Sequence, residues 1–250
     1  RARSIISEAS HAKAELAVQD LTKLTKFRLG VIEDFDGNIT PKLLTELAKE
    51  FSGCQIQLET AYSLKLQDSL EKRKLDMIVA ADLGQAQDWM DVYPVVKDPF
   101  VVAAPKGLIK QNGSELEQLL NIPFIRYSSA QAMGQSIDAH LLRQRINISH
   151  KFELDSYHAS LALVANKAAW TITTPLGFLH AQRFHSGVDL LPLPMRSLTR
   201  TISVLSRSGG FDQMPRHIAA LIKLLLDRTI VADMIKAFPW LKKDFCILET

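Results

Sequence analysis

Between Phe27 and Ala80 the spacing of apolar residues switches from two to three or four and back, twice over, and this alternation narrows the possible folds more than any other feature of the chain. Phe27, Leu29 and Val31 alternate as in a half-buried strand. Thr40 then reads as an N-cap with Pro41 at the first helical position, and Leu43, Leu44, Leu47 and Phe51 share one helix face. Residues 54–60 read as a second strand, 64–73 as a helix with Leu66 and Leu70 inward, and 77–80 as a short buried strand. Short helices between strands mean right-handed crossovers and a mostly parallel sheet.

The same scheme returns farther on. After an extended stretch over 92–104, a helix is signalled by a capping box, Ser114 with Glu117. Strand 124–127, helix 135–145, strand 151–154, helix 156–166 and strand 169–173 then form a second βαβαβ unit. Two such units imply two α/β lobes. Residues 201–205 are again extended, Ser208-Gly209-Gly210 is a loop, and 218–226 with 230–238 form a helical tail without strands of its own. Such a tail packs on a lobe already made, so the chain leaves the first lobe and returns, with 95–104 and 200–206 as the crossing segments. The expected division is 27–99 with 206–250 as lobe I and 100–205 as lobe II.

Residues 1–29 hold no Gly or Pro, and Ala2, Ile5, Ala9, Ala12 and Leu16 recur at helical spacing, predicting a helix of about 24 residues. Its apolar stripe is narrow, and from Gln19 the phase passes to Ala17, Leu21 and Leu24. A narrow seam suits pairing with another helix; lying on its own domain is the alternative. The segment has no signal-peptide shape and begins without Met, so the chain is expected to be part of something longer.

Composition excludes more than it assigns. No apolar run exceeds five residues, so no bilayer-spanning helix is expected. Thirty Lys and Arg against 27 Asp and Glu give +3, too little for a surface built on phosphate neutralisation. Two cysteines support neither a disulfide framework nor a zinc site; Cys54, in phase with Ile56 and Leu58, reads as core packing in a reducing compartment. No nucleophile elbow, zinc-protease pair, P-loop or dinucleotide fingerprint occurs. His180 and His185, five apart, read as surface residues rather than a metal pair.

In open parallel sheets, ligands sit beyond the carboxyl ends of the strands. Those ends fall at 33–36 and 62–64 in the first lobe, and at 128–131, 155–158 and 173–175 in the second. Ser63, Ser128, Ser129, Ser156, Thr173 and Thr174 bring hydroxyls and helix N-terminal amides there, which suits a small polar or anionic ligand. Ser63 and Ser156 also read simply as helix caps, and Glu33, Asp34 and Asp36 either as a carboxylate cluster or as residues favouring a helix N-terminus.

At this point the chain resembles the effector-binding region of LysR-type transcriptional regulators. The resemblance is carried by Arg28-Leu29-Gly30-Val31, by Pro41, Leu43, Leu44, Leu47 and Phe51, by Ser63, Leu66 and Leu70, and by Leu75-Asp76-Met77-Ile78. Residues 98–105, Val164-Ala165 and 170–175 continue it, in matching order, from about Phe27 to Leu226. It implies a type 2 periplasmic-binding-protein-like fold, two Rossmann-like lobes with two crossover segments, preceded by a linker and dimerisation helix over 1–26. It further implies a small-molecule effector in the cleft between the lobes and a winged helix-turn-helix before Arg1 that alone contacts DNA. A homodimer, a homotetramer at full length, and a cytoplasmic setting without membrane or cofactor go with it. The expected effector-binding residues are Glu33, Asp34, Phe35, Ser63, Leu64, Phe100, Ser128, Ser129, Tyr157 and Thr173, of which Glu33, Asp34, Ser63 and Thr173 match positions of the family; no catalytic or metal-binding residues are expected. One departure is Lys167-Ala168-Ala169 in place of a Gly-x-Gly, where Lys167 could intrude on or shield the neighbouring pocket.

A ligand-sensing module of a regulator is therefore the first expectation. A stand-alone solute-binding protein explains the fold equally but not the N-terminal seam. An enzyme on this scaffold lacks a catalytic constellation.

Overall fold

The computed structural model describes residues 25–84, 87–211 and 213–249. The helix expected over 1–26 lies, as far as residue 24, outside the described residues. In chain order the first elements are β1 (Lys26–Val31), α1 (Thr40–Glu50), β2 (Gln55–Thr60), α2 (Ser63–Glu71), β3 (Met77–Ala81) and β4 (Met90–Pro99). There follow β5 (Val101–Pro105), α3 (Glu115–Leu120), β6 (Phe124–Tyr127), α4 (Ala132–Arg143), β7 (His150–Leu154), α5 (Tyr157–Ala165), β8 (Trp170–Thr173), α6 (Pro175–His180) and β9 (Val188–Pro192). The chain closes with β10 (Thr199–Arg207), α7 (Met214–Leu226), α8 (Ala232–Ala237) and β11 (Cys246–Ile247).

These elements fall into two compact units. One comprises the described residues up to Val96, Thr201–Val231 and those from Ile247; the other comprises Lys97–Arg200 and Ala232–Cys246. The sequence expectation keeps 206–250 whole in the first lobe, whereas Ala232–Cys246 belongs to the second unit. A π-helical turn, Asp227–Val231, lies between α7 and α8 at that boundary.

In the first unit the sheet order is β11-β4-β10-β3-β1-β2. β1 pairs parallel with β2, Phe27 opposite Ile56, and with β3, Leu29 opposite Met77, as crossover helices require. β10 runs antiparallel to β3, so the sheet is mixed rather than mostly parallel: β10 arrives from the other unit and not through a crossover helix. Leu43 and Leu47 of α1, Leu66 and Leu70 of α2, and Ile218, Ile222 and Leu226 of α7 are fully buried, each contributing about 2 kcal/mol. Gly30 permits this packing, since an added Cβ would lie 2.6 Å from Leu75 and 2.9 Å from Leu66. β2 is an edge strand, which leaves Cys54 half-buried beside it rather than in the core.

The second unit has sheet order β7-β6-β8-β5-β9. β6 is parallel to β7 and β8, and β5 is antiparallel to β8 and β9. Trp170 is fully buried with its ring 4.7 Å from Phe124.

Two helix starts differ from expectation. Thr40 is the first residue of α1 and Ile39 its cap; the turn from Phe35 to Ile39 is already helical in its bonding, so no side-chain cap is needed. Ser114 does precede α3, but its hydroxyl donates to Asn112 Oδ1 at 2.7 Å, and the capping box is not formed.

Candidate functional site

At the carboxyl ends of β1 to β3, the first unit gathers five of the expected residues. A short 3-10 turn, Glu33–Phe35, follows β1 and buries Asp34 and Phe35. β2 ends at Thr60, whose hydroxyl donates to Asp36 Oδ1 at 3.1 Å. Ser63 opens α2 but does not cap it: Tyr62 is the cap residue, and Ser63 Oγ accepts from Ala81 N at 3.0 Å. The hydroxyl thus ties the start of α2 to the end of β3, with half-buried Leu64 beside it. Neither alternative for Ser63, cap or free ligand group, anticipates this bond, because the 18-position separation of its partners hides it from spacing arguments.

In the second unit Thr173 ends β8, and the register sets Val101 opposite it, so Phe100 stands at the same end of the sheet. Thr173 is fully buried and its hydroxyl has no hydrogen-bond partner among the described residues. The hydroxyls of Thr40, Ser160, Ser203 and Ser206 share that condition, but of these Thr173 is the one that terminates a parallel strand. Thr174 caps α6, accepting from Gly177 N at 3.2 Å, and Ser156 caps α5, accepting from Ala159 N at 3.3 Å. Ser128 N donates to Leu154 O at 3.0 Å, aligning the ends of β6 and β7, while Ser129 is exposed. Tyr157 is buried, its hydroxyl donating to Met133 Sδ at 3.3 Å and its ring 5.6 Å from that of Tyr127.

Spacing arguments miss one group at these ends. Arg200 donates through Nε and Nη2 to Asp98 Oδ2 at 2.9 and 2.8 Å, and through Nη2 to Thr174 Oγ1 at 3.0 Å. Asp98 is fully buried. A charge inside each otherwise extended crossing segment is the signal that could have found the pair.

His180 and His185 are not surface histidines but half-buried. His185 stacks flat on Phe178 with centroids 3.7 Å apart, and its Nε2 donates to Phe178 O at 2.8 Å. Desolvation pushes the His185 imidazole below the ordinary histidine value, against a smaller opposing effect of that hydrogen bond. Desolvation, then His180 and Arg183, do the same to His158. The unfolded chain therefore takes up protons that the folded chain resists, and stability is lost as pH falls below about 6.5. Thermal melting between pH 7 and 5 is expected to show this decline, with a shallower slope in His185→Gln; an equal slope in both proteins refutes the assignment to His185.

Comparison with known proteins follows this geometry. The profile of the LysR substrate binding domain matches residues 24–229. The chain belongs to that family. No curated protein matches it. Among solved structures, the reduced form of OxyR from N. meningitidis is 18% identical with a TM-score of 0.65, covering 90% of this chain and 100% of that one. The C206 mutant of Corynebacterium glutamicum OxyR is 17% identical with a TM-score of 0.70, over 94% of this chain and 73% of that one. The effector-binding domain of QuiR in complex with shikimate is 14% identical with a TM-score of 0.64, over 82% and 99%. At these identities the likeness is one of fold, the type 2 periplasmic-binding-protein-like arrangement of two mixed α/β sheets.

As a LysR substrate-binding domain, the chain falls in a family of regulatory domains of transcription factors, not of enzymes. Among the described residues no helix is long and apolar enough to cross a membrane, and no group of three or more His, Cys, Asp or Glu could hold a metal. The missing Gly-x-Gly of this LysR domain is accommodated at Lys167, which takes the glycine conformation with φ 58°. Lys167 N donates to Val164 O and Ala168 N to Leu163 O, a Schellman-type end to α5. That turn is exposed and precedes β8, at the opposite end from Thr173, so Lys167 does not shield the residues at the strand's carboxyl end.

Proposed function

We propose that this domain is the effector-sensing and oligomerising part of a LysR-type transcriptional regulator, acting in the cytoplasm and controlling a winged helix-turn-helix elsewhere in the protein. Its effector is a small polar molecule, and the residues proposed to contact it are Glu33, Asp34, Phe35, Ser63, Leu64, Phe100, Ser128, Ser129, Tyr157 and Thr173. Dimerisation through 1–26, and a tetramer of the whole regulator, belong to the same proposal. The observation that carries the reading is Thr173 Oγ1, buried and without a partner among the described residues, at the end of a parallel strand. A buried hydroxyl that the protein does not satisfy is one that a polar ligand can satisfy.

The reduced and C206-mutant OxyR structures raise a thiol signal as another possibility, which Cys54 does not support. Burial, and then Asp76, push the Cys54 thiol up, away from reactive thiolate.

The test uses a melting-shift screen of metabolites that begins with shikimate, on the wild type, Thr173→Val and Ser63→Ala. Thr173→Val removes a hydroxyl that has no partner among the described residues, so folding is expected to hold while the ligand shift is lost. Ser63→Ala is expected to cost about 1–2 kcal/mol as well, because Ala81 N loses its buried acceptor. Identical ligand shifts in Thr173→Val and wild type, for every compound that binds, refute the proposal.

A further inference from the structure

The second unit carries a cavity of about 680 Å³ away from the strand ends just described, within the range of small-molecule sites. It follows β9, the edge strand of its sheet, whose residues Val188 to Leu191 line one wall. The ladder separates it from Thr173: Val101 of β5 faces both Thr173 and Pro192, whereas Pro105 faces Val188. The cavity's Lys106 and Val188 end thus lies about 13 Å along the strands from the level of Thr173. The other wall comes from Asp233 to Trp240, beyond the part of the chain matched by the family profile.

The lining is unusually aromatic and oppositely charged. His185 lies flat on Phe178, Phe238 meets Phe178 edge-on at 6.3 Å, and Trp240 meets Phe238 at 6.2 Å. These rings form one continuous aromatic flank of the cavity, with Trp240 its exposed member. Lys106 and Asp233 also line the cavity. Both are exposed, and among the described residues neither has an ion-pair partner. Asp189 is already engaged, accepting from Gly107 N at 2.7 Å.

We propose that this cavity is a second ligand site, taking an aromatic zwitterion of the amino-acid class. The ring packs on Phe178, Phe238 and Trp240, the ammonium pairs with Asp233, and the carboxylate pairs with Lys106. An aromatic cation leaves Lys106 without a use, and an aromatic anion leaves Asp233 without one; the zwitterion satisfies both. This site does not depend on the effector site proposed above.

The experiment is calorimetric titration of the full chain with L-phenylalanine, phenethylamine and 3-phenylpropionate. L-phenylalanine is expected to bind most tightly. Lys106→Met weakens L-phenylalanine and 3-phenylpropionate about two- to fivefold, the effect of an exposed charge pair, and leaves phenethylamine unchanged. Asp233→Asn weakens L-phenylalanine and phenethylamine to the same extent and leaves 3-phenylpropionate unchanged. Trp240→Ala weakens all three by about tenfold or more, and Thr173→Val alters none. Should Trp240→Ala fail to fold, the crossed pattern of the two charge variants decides alone. Absence of saturable binding by all three probes, loss of binding in Thr173→Val, or charge variants that affect the three probes alike overturns the proposal.

Discussion

Arg200→Met lowers the unfolding free energy by about 3–5 kcal/mol, the range for removing one partner of a buried ion pair. The cause is Asp98, a fully buried carboxylate that accepts two bonds from the Arg200 guanidinium and would lose the counter-charge that Arg200 supplies. The same change also deprives Thr174, the cap of α6, of a 3.0 Å donor. Urea denaturation with an unchanged m-value is the measurement, and the double variant Asp98→Leu with Arg200→Met is expected to regain most of the loss, since it removes both charges. A loss below about 1 kcal/mol in Arg200→Met would sink this account, because that is the size of an exposed pair.

Gly134→Ala is expected to cost about 3 kcal/mol, the upper part of the range for overpacked cores. Gly134 stands in the first turn of α4, where an added Cβ would lie 2.6 Å from Tyr127 O and still closer to Ser128 O. Both obstacles are backbone atoms, so relief requires the Ser128 and Ser129 turn to move. Thermal melting and amide chemical shifts of 127–131 report the two consequences together. Gly37→Ala is the control: nothing lies within 4 Å of its added Cβ, and a change within about 0.5 kcal/mol is expected. Equal effects at the two positions would mean that the close approach of α4 to β6 is not what fixes the turn.

Much of the architecture was legible from residue spacing. β1, α1, β2, α2 and β3 occupy the expected segments to within a few residues, and so do β6, β7, α5 and β8, because each hides one apolar face and that periodicity is local. β9 was not anticipated: Val188, Leu190 and Leu191 are buried, but five residues ending in proline carry too short a pattern to separate strand from loop. Helix starts also misled. Ser114 has the capping-box sequence, yet its hydroxyl accepts from Gln118 Nε2 and its backbone N–H donates to Asn112 Oδ1.

The candidate site divides along the same line. That hydroxyls and carboxylates gather at strand ends follows from βαβ order, since each loop after a parallel strand must sit on one edge of the sheet. Which hydroxyls are committed does not follow from it. Ser63 is engaged by Ala81, Ser156 by Ala159 and Thr174 by Gly177 and Arg200, while the Thr173 hydroxyl has no partner among the described residues.

Local sequence, then, determined the alternation of strands and helices, the two α/β units and the family, for these rest on interactions between residues a few positions apart. Tertiary structure decided the pairing of Asp98 with Arg200, 102 positions on, the return of Ala232–Cys246 to the second unit, and the aromatic row from His185 to Trp240. Those depend on which distant segments are packed together, and the energy of burying a charge or a ring is set by its final neighbours rather than by its place in the chain.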